Sequence, residues 1–360
     1  MSAVPQGDTE AARRHRQYCV RRAMGHMFFQ AATLVGGGTG SAELFRQVCG
    51  GDPARTAKWL TSSLSAGAVI EVFLFQIVGR LTDKTGRKTP WLFLSPGMSF
   101  LTGVMPCLVP RLPVVWASRL LTSSFSALFG GTNMTCAMIS DVVAGDELAQ
   151  AYSLLSGVAG VGLFVGIQTG SFLHRRFGDP RYGMLGQAAF AAMGLIHNIS
   201  IPETLPPSQR TSKPIRLRDA SPFGFITLLR RSRAISTLAL ACTACVCSEG
   251  KVTADLKALW IRDVGLSPLW QGHFLSYSLV LGSVGGVLGA RMIQILGQRG
   301  FTTAACALCV VGHMVVATGS PAAQWLGFLI MAPALVRAAT ALARGISLIC
   351  ISIPHRNTCL

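Results

Sequence analysis

Charged residues are scarce in this chain, because aspartate, glutamate, lysine and arginine make up 13% of its 360 residues. Soluble domains carry about 25% charged residues, so the composition excludes an ordinary water-soluble fold. Half of the residues are hydrophobic, the mean hydropathy is +0.47, and the apolar residues gather in long stretches. Such stretches reach the ~20 residues that cross a bilayer. The sequence therefore predicts an all-α, polytopic bundle of transmembrane helices with the lipid bilayer as its solvent.

Acidic residues are fewer still, with 15 against 32 lysines and arginines, and the formal net charge is +17. Nucleic-acid-binding proteins are also basic, but here the basic residues lie at the ends of apolar segments rather than on one polar domain with interleaved aromatics. Nucleic acid is therefore not expected as a partner. The sequence also lacks nucleophile, base and phosphate-loop arrangements in suitable contexts. No catalytic residue, cofactor or enzyme activity is predicted.

Eleven cysteines include two pairs with C-x-x-C spacing, Cys242 with Cys245 and Cys306 with Cys309. Both pairs lie in apolar stretches, without the loop context or the histidine partners of zinc sites. We therefore predict no metal site. The cysteines are interpreted as small residues that pack between membrane helices.

Hydropathy predicts ten spans, with approximate ranges 23–41, 59–78, 91–109, 112–139, 151–173, 182–199, 234–250, 271–290, 301–318 and 322–341. Residues 1–22 hold five arginines and no apolar core, which predicts an N-terminal arm rather than a signal peptide. The proline-rich residues 202–233 predict a connector between a six-helix bundle at 23–201 and an incomplete bundle of four helices at 234–345. Residues 346–360 form a tail.

Lysine and arginine predominate in the connections on the side of the N-terminal arm and the connector. The positive-inside rule places this side in the cytosol. We therefore expect a multi-pass membrane protein with both termini cytosolic, in a membrane that the sequence does not identify.

The connection between the second and third predicted spans, residues 79–88, reads G-R-L-T-D-K-T-G-R-K. A short turn between helices needs small residues for close approach and a tight reversal, and Gly79 and Gly86 supply them. The carboxylate of Asp83 is able either to cap a helix start or to pair with the basic residues around it.

This connection resembles the signature of the major facilitator superfamily, G-x-L-x-D-x-x-G-R-K/R. The matching residues are Gly79, Leu81, Asp83, Gly86, Arg87 and Lys88. In that family the loop latches the cytosolic side of the two halves and releases as the carrier switches access. The resemblance implies a gating loop with the same role here.

Two further stretches resemble carriers of this superfamily. Gly162, Gly166 and Gly170 follow the G-x-x-x-G-P-x-x-G motif of drug antiporters, with Ile167 in place of the proline. This resemblance implies a helix-packing motif in the fifth span. Residues 201–206, Ile-Pro-Glu-Thr-Leu-Pro, are similar to the P-E-S/T-L sequence of tetracycline-resistance-like carriers.

Ionisable and polar groups inside spans mark candidate positions of a transport pathway. A charge in a span costs about 2.5–3.5 kcal/mol on insertion scales, so it usually faces a cavity or a partner. Glu71 and Arg119 are such charges, and Gln30 and Gln168 are polar residues in other spans. Arg119 also resembles the membrane-embedded arginine of the family. The alternative for each is a structural ion pair or an interhelical hydrogen bond, and the residues alone leave both open.

The resemblance implies a secondary carrier that moves a small solute by alternating access, with protons as the coupling ion if Glu71 titrates. The family usually has twelve spans, however, and only ten are predicted here. A truncated, non-transporting membrane protein that regulates, scaffolds or is inactive is therefore the alternative. The sequence identifies neither the solute nor the direction of transport.

Overall fold

The computed structural model describes residues 10–129, 131–211 and 268–331, with four further positions between 233 and 240. Its helices are α1 Glu10–Val35, α2 Gly38–Val48, α3 Pro53–Thr85, α4 Trp91–Leu108, α5 Leu112–Phe129, α6 Gly131–Ser140, α7 Gly145–Phe177, α8 Pro180–Ile199, α9 Pro268–Ala317 and α10 Pro321–Met331. A 3-10 turn occupies Pro207–Gln209. Most of the predicted connector, the seventh span, the end of the tenth span, the tail and the pair Cys242 and Cys245 lie outside the described residues.

Six helical segments in the described part of the chain are long and apolar enough to cross a membrane. They are Ala54–Phe75, Trp91–Leu108, Leu112–Ser140, Glu147–Phe177, Leu279–Gly297 and Arg299–Ala317. They overlap the second, third, fourth, fifth, eighth and ninth predicted spans, and the first and sixth fall on α1 and α8. The all-α, polytopic fold is thus confirmed, while the number of ten spans stays a prediction.

Local sequence signals begin two of these helices. The side chain of Asp52 accepts a 2.9 Å hydrogen bond from the backbone N–H of Ala54, and that of Asp179 accepts one of 2.9 Å from Arg181. Proline follows each aspartate as the first helical residue. A capping carboxylate and a proline with no N–H to satisfy together favour a helix start.

The described chain divides into two compact units. Unit 1 comprises Met1–Val143 and Val161–Pro222, and unit 2 comprises Ala144–Gly160 and Phe223–Leu360. The first turns of α7 therefore belong to unit 2 and the remainder to unit 1. The bundle boundaries predicted from the sequence stay a prediction, because most of the connector between them is not described.

In unit 1, α4 packs against both α5 and α8, α3 packs against α5, and α1 packs against α6 and α8. One core cluster joins α2, α5 and α8 through buried side chains of Leu44, Phe45, Cys49, Val115 and Met184. Burial of each large apolar side chain contributes roughly 1.5–3 kcal/mol relative to water, so this cluster fixes the ends of three helices together.

In unit 2, α7 and α9 approach closely along small residues. The hydroxyl of Ser153 donates a 2.9 Å hydrogen bond to the carbonyl of Gly286, and a Cβ on Gly286 would lie 2.5 Å from the backbone nitrogen of Gly157. Small residues of this kind let helix backbones approach in membranes.

The connection predicted between the eighth and ninth spans differs from the observed backbone. Instead of a loop at 291–300, two helices within the range of α9 meet at Gly297, where φ is 68° and ψ is 168°, outside the helical region. Glycine adopts this left-handed backbone without steric cost. The connection that hydropathy predicts over ten residues is therefore made at Gly297 alone.

Candidate functional site

A cluster of charged side chains lies at one end of unit 1, outside the segments that are able to span the membrane. We call Asp83, Arg87, Asp141, Glu203 and Arg210 the loop cluster. Nη1 of Arg87 donates to Oδ1 of Asp83 at 2.6 Å, and Nε of Arg87 donates to Oδ2 of Asp141 at 3.1 Å. The Arg87 and Asp141 side chains are only 12% and 11% exposed. This arginine is thus held between two carboxylates and largely out of water.

The end of α3 places the Asp83 and Arg87 side chains together. Asp83 lies in the last turn of the helix, four residues before Arg87, and Gly86 terminates it with a φ of 108°. A Cβ at Gly86 would collide with the Glu203 carboxylate and would lie 2.9 Å from Nη2 of Arg210. Glycine is needed here both for the backbone angle and for the space.

Glu203 binds the backbone of residues 87 and 88. Its carboxylate accepts hydrogen bonds from the N–H groups of Arg87 at 2.8 Å, Lys88 at 3.2 Å and Leu205 at 3.0 Å. Nη2 of Arg210 lies 3.7 Å from the same carboxylate. The two motifs that the sequence presents as separate resemblances, residues 79–88 and 201–206, therefore form one structure.

Thr204 and Thr211 complete this junction. The Thr204 hydroxyl donates a 3.1 Å hydrogen bond to Oδ2 of Asp141, and the Thr211 N–H donates one of 3.0 Å to the Asp83 carbonyl. The segment after α8 thus runs along both α3 and α6. Each polar group inside the junction has a partner, as buried polar networks require.

Burial and charge have opposite effects on Arg87. Burial lowers the pKa of its guanidinium, but the hydrogen bonds and charges of Asp141 and Asp83 outweigh burial and raise the pKa above its ordinary value. Arg87 therefore remains charged at every pH at which the protein is folded. The guanidinium of Arg87 is therefore a fixed positive charge in the loop cluster.

The remaining motif residues have different surroundings. Nζ of Lys88 donates a 3.0 Å hydrogen bond to the carbonyl of Ile199 at the end of α8, and Leu81 is partly buried. Gly79 lies inside α3, and no described atom would lie within 4 Å of a Cβ at this position. The turn role expected for both glycines is therefore wrong for Gly79. Of the two roles open to Asp83, the structure has the ion pair with Arg87.

A cavity of about 280 Å³ lies deeper in unit 1. Its lining residues come from α1, α2, α5 and α8 and are Leu34, Val35, Ser41, Phe45, Val115, Ser118, Arg119, Thr122, Ser123, Met184 and Gln187. Arg119 is the charged residue among them. Its Nη1 lies 3.5 Å from the hydroxyl of Ser41, and its Nε is buried without a hydrogen-bond partner in the described part of the chain.

The other predicted pathway residues do not line this cavity. Gln30 is buried in α1 and accepts a 3.0 Å hydrogen bond from Ser95 of α4, which is an interhelical contact. Glu71 is partly buried on α3, and Gln168 is exposed on α7. Of the four predicted pathway residues, the structure thus places Arg119 alone in the cavity, and their role in transport stays a prediction.

Several cavity residues carry no signal that the sequence analysis used. Ser41 and Thr122 contribute hydroxyl groups, and serine and threonine are common in membrane helices whether or not they face a cavity. Gln187 has a buried amide whose nitrogen donates to the Ser99 carbonyl and to the hydroxyls of Thr102 and Thr122, at 3.2 to 3.4 Å. The packing of α4 against both α5 and α8, and of α2 against α8, brings these groups together only in the folded chain.

The glycines of the predicted packing motif face neighbouring helices in unit 1. A Cβ on Gly162 would lie 2.5 Å from the carbonyl oxygen of Phe28, and one on Gly166 would collide with the Ala32 carbonyl, both in α1. The backbone of Gly170 approaches Gly183 of α8, where an added Cβ would lie 3.3 Å from the Gly170 carbonyl oxygen. The motif thus lies where α7 meets α1 and α8, next to the helices that carry the cavity.

Three comparisons with known proteins agree with this architecture. A sequence model of the Major Facilitator Superfamily matches residues 50–354. The class H tetracycline resistance protein of Pasteurella multocida is 32% identical over 111 residues, which are 31% of this chain and 26% of that protein. This chain therefore aligns with about a quarter of the length of that relative.

Solved structures show the same fold at low identity. The human organic anion transporter MFSD10 (TETRAN) superposes with a TM-score of 0.70 at 18% identity, covering 94% of this chain and 93% of that one. The proton:xylose symporter XylE, bound to 6-bromo-6-deoxy-D-glucose, gives 0.60 at 11% identity, covering 96% and 88%. Both likenesses concern the fold, whereas the sequence model spans most of the chain. The protein accordingly belongs to the major facilitator superfamily.

Proposed function

We propose that this protein is a secondary carrier that moves a small solute across a membrane by alternating access. The observation that carries the proposal is the cavity in unit 1, which is lined by apolar side chains, hydroxyl groups and Arg119. Charged groups in membrane helices usually face a substrate pathway or a partner. A cavity with such a lining favours a carrier over a non-transporting membrane protein.

Relatives of the same fold support transport without specifying the solute. One is named as a transporter of organic anions and another as a symporter of protons and xylose. Their differing cargoes agree with the general rule that the residues of a site, and not the fold, determine specificity. The solute of this chain must therefore be identified from its own cavity.

The gating role of the loop cluster is part of this proposal. Arg87 is fixed by two carboxylates, and Glu203 fixes the backbone of the same loop. A cluster that joins α3, α6 and the segment after α8 is able to hold one conformation and release it as a unit. This arrangement supports the gating role that the family resemblance implies for residues 79–88.

Flux measurements test the proposal. Proteoliposomes that contain the full chain are loaded with a defined mixture of organic acids, sugars and amines, and mass spectrometry follows which solutes leave. We expect selective efflux of a subset, and at least a tenfold loss of rate for Arg119→Gln. Arg111→Gln is the matched control, because it removes an exposed arginine just before the same helix. Efflux equal to that of empty liposomes for every solute would refute carrier activity.

Proton coupling through Glu71 is a separate part of the proposal. Its carboxyl is partly buried in a helix that is able to span the membrane, where a proton equilibrates with the pathway in many carriers. We expect Glu71→Gln to abolish the dependence of flux on an imposed pH gradient. Efflux of the same solutes is measured with and without the gradient. If the gradient accelerates wild type and variant equally, Glu71 has no part in coupling.

A further inference from the structure

We propose that the cavity around Arg119 binds the carboxylate, or a comparable anionic group, of a small and largely apolar organic anion. This inference rests on the proposed function, because it assigns a substrate class to the same cavity. It is drawn from the charge, the lining and the size of that cavity.

In the part of the chain that the structure describes, no acidic side chain pairs with Arg119. No acidic side chain is among the residues that line the cavity, and among the described residues Arg119 is in no ion pair. Its closest polar contact is the neutral hydroxyl of Ser41 at 3.5 Å, at the limit of a hydrogen bond. A partly buried cation without a carboxylate is costly to keep. An anionic solute would neutralise the charge that the protein itself leaves uncompensated.

Arg87 is an arginine of the same unit whose positive charge is balanced by neighbouring carboxylates. It lies between Asp83 and Asp141, at 2.6 and 3.1 Å. Both arginines are largely removed from water, yet only the one in the loop cluster has carboxylates beside it. Among the described residues, this difference leaves the guanidinium of Arg119 available to an anionic group of the solute.

The other residues that line the cavity predict the chemical character of the uncharged part of the solute. Leu34, Val35, Phe45, Val115 and Met184 present apolar surface. The two N–H groups of the Gln187 amide are directed at three acceptors inside the bundle. The hydroxyls of Ser118 and Ser123 donate to carbonyls of their own helix, and that of Thr122 pairs with the Thr102 hydroxyl. Few donors other than the guanidinium therefore remain for the solute, which disfavours a sugar or another polyhydroxylated molecule.

The volume of the cavity restricts the class of solute further. The volume of about 280 Å³ is just below the range of roughly 300–1,000 Å³ typical of pockets for drug-sized ligands. A monoaromatic acid or a short-chain fatty acid matches such a space. An inorganic anion such as chloride satisfies the charge alone and leaves the apolar walls unused.

Binding to the purified, full-length protein in lipid nanodiscs tests this inference without requiring transport. The probes are benzoate, its neutral isostere benzamide, the cation benzylamine, and chloride. We expect benzoate to bind and to raise the unfolding temperature, whereas benzamide and benzylamine bind at least tenfold more weakly. Arg119→Gln should weaken benzoate binding about 10- to 100-fold, the range for loss of a charged hydrogen bond. Arg119→Lys, which keeps the charge, should retain part of the affinity, and Arg111→Gln all of it.

Several results would overturn the inference. They are benzamide binding as tightly as benzoate, displacement of benzoate by chloride at equal concentration, unchanged benzoate affinity in Arg119→Gln, and no binding of benzoate at all. The comparison of benzoate with benzamide uses only wild-type protein, so it remains decisive if Arg119→Gln does not fold. Arg119-dependent benzoate binding without flux in proteoliposomes would refute the carrier proposal alone. Flux of neutral solutes that is unaffected by Arg119→Gln would refute the anion assignment alone.

Discussion

At the scale of single residues, Arg87 and Arg119 are two arginines of unit 1 with different surroundings. Arg87 is surrounded by fixed carboxylates and donates to both of them, so it stabilises the loop that contains it. Arg119 lines a cavity and has a hydroxyl at 3.5 Å as its nearest polar contact. Arg87 is paired with carboxylates inside the protein, whereas no described carboxylate pairs with Arg119, and the proposal of an anionic solute rests on this difference.

The ion pair of Arg87 with Asp141 is testable by substitution. We expect Asp141→Asn to lower the free energy of unfolding by about 3 kcal/mol, because removing one partner of a buried pair leaves the other charge uncompensated. Thermal unfolding in detergent micelles measures the change.

The exposed pair of Glu10 with Arg14 is the matched control, since both side chains are 77% exposed. Glu10→Gln should leave the unfolding temperature unchanged, because exposed pairs contribute little. Equal unfolding temperatures for Asp141→Asn and wild type would contradict the structural role of the loop cluster.

At the scale of elements, helix α7 contains glycines at which atoms of neighbouring helices occupy the space that a side chain would need. Gly162 and Gly166 face the backbone of α1, and Gly170 faces α8. In a membrane, where lipid competes for apolar contacts, such close backbone approach is a main source of helix association. The α7 glycines thus set how closely α7 approaches α1 and α8, two of the helices that line the cavity.

Gly166→Ala tests this packing. A Cβ at Gly166 would collide with the carbonyl oxygen of Ala32 and lie 2.9 Å from its Cα, so backbone has to move. We expect a loss of about 1–3 kcal/mol in the free energy of unfolding, the usual cost of overpacking. Thermal unfolding in nanodiscs, without and with benzoate, measures the stability of the variant and whether its cavity still binds benzoate.

Gly97→Ala is the control for that substitution, because Gly97 also lies inside a helix but no described atom would be within 4 Å of its added Cβ. Alanine in an open helical position stabilises by roughly 0.5–1 kcal/mol. If both variants change stability in the same direction and by the same amount, α7 does not pack on α1 as described.

Much of this element-scale picture is predictable from sequence, and the exceptions have physical reasons. Apolar runs predict the helices, and the glycine spacing in α7 predicts a packing face. The contact of Glu203 with the N–H groups of Arg87 and Lys88 is not predictable from any local pattern, since the partners are more than 100 residues apart. The positions of Ser41 and Gln187 in the cavity are equally unpredictable from the sequence, because they depend on helices that pack together only in the folded chain.

At the scale of the whole molecule, the surface agrees with a bilayer environment. Large apolar side chains are strongly exposed along the helices, including Leu108 at 75%, Ile196 at 70% and Ile295 at 80%. Exposure of many large apolar side chains is unfavourable in water and is expected where lipid is the solvent. The distribution of lysine and arginine then predicts which face of the membrane each end occupies.

The predicted orientation is testable in cells. Epitope tags are placed at each end of the chain, and antibodies are applied after permeabilising the plasma membrane alone. Both tags should be accessible from the cytosol, because the basic connections lie on that side. A tag that becomes accessible only after all membranes are permeabilised would show that its end lies on the opposite side. An additional tag beside Arg55, on the predicted outer side, should behave in the reverse way.

The burial of Arg87 and Asp141 has a consequence for ionic strength. Dissolved ions screen charges at the surface over a Debye length of about 8 Å at physiological salt, but they screen buried pairs far less. The arginines of the N-terminal helix that face solvent should respond to added salt, whereas the buried pair of Arg87 with Asp141 should respond far less. Raising sodium chloride from 0.05 to about 0.5 M should therefore leave the stability difference between Asp141→Asn and wild type unchanged. The gating equilibrium proposed for residues 79–88 would then stay the same while the electrolyte around the protein varies.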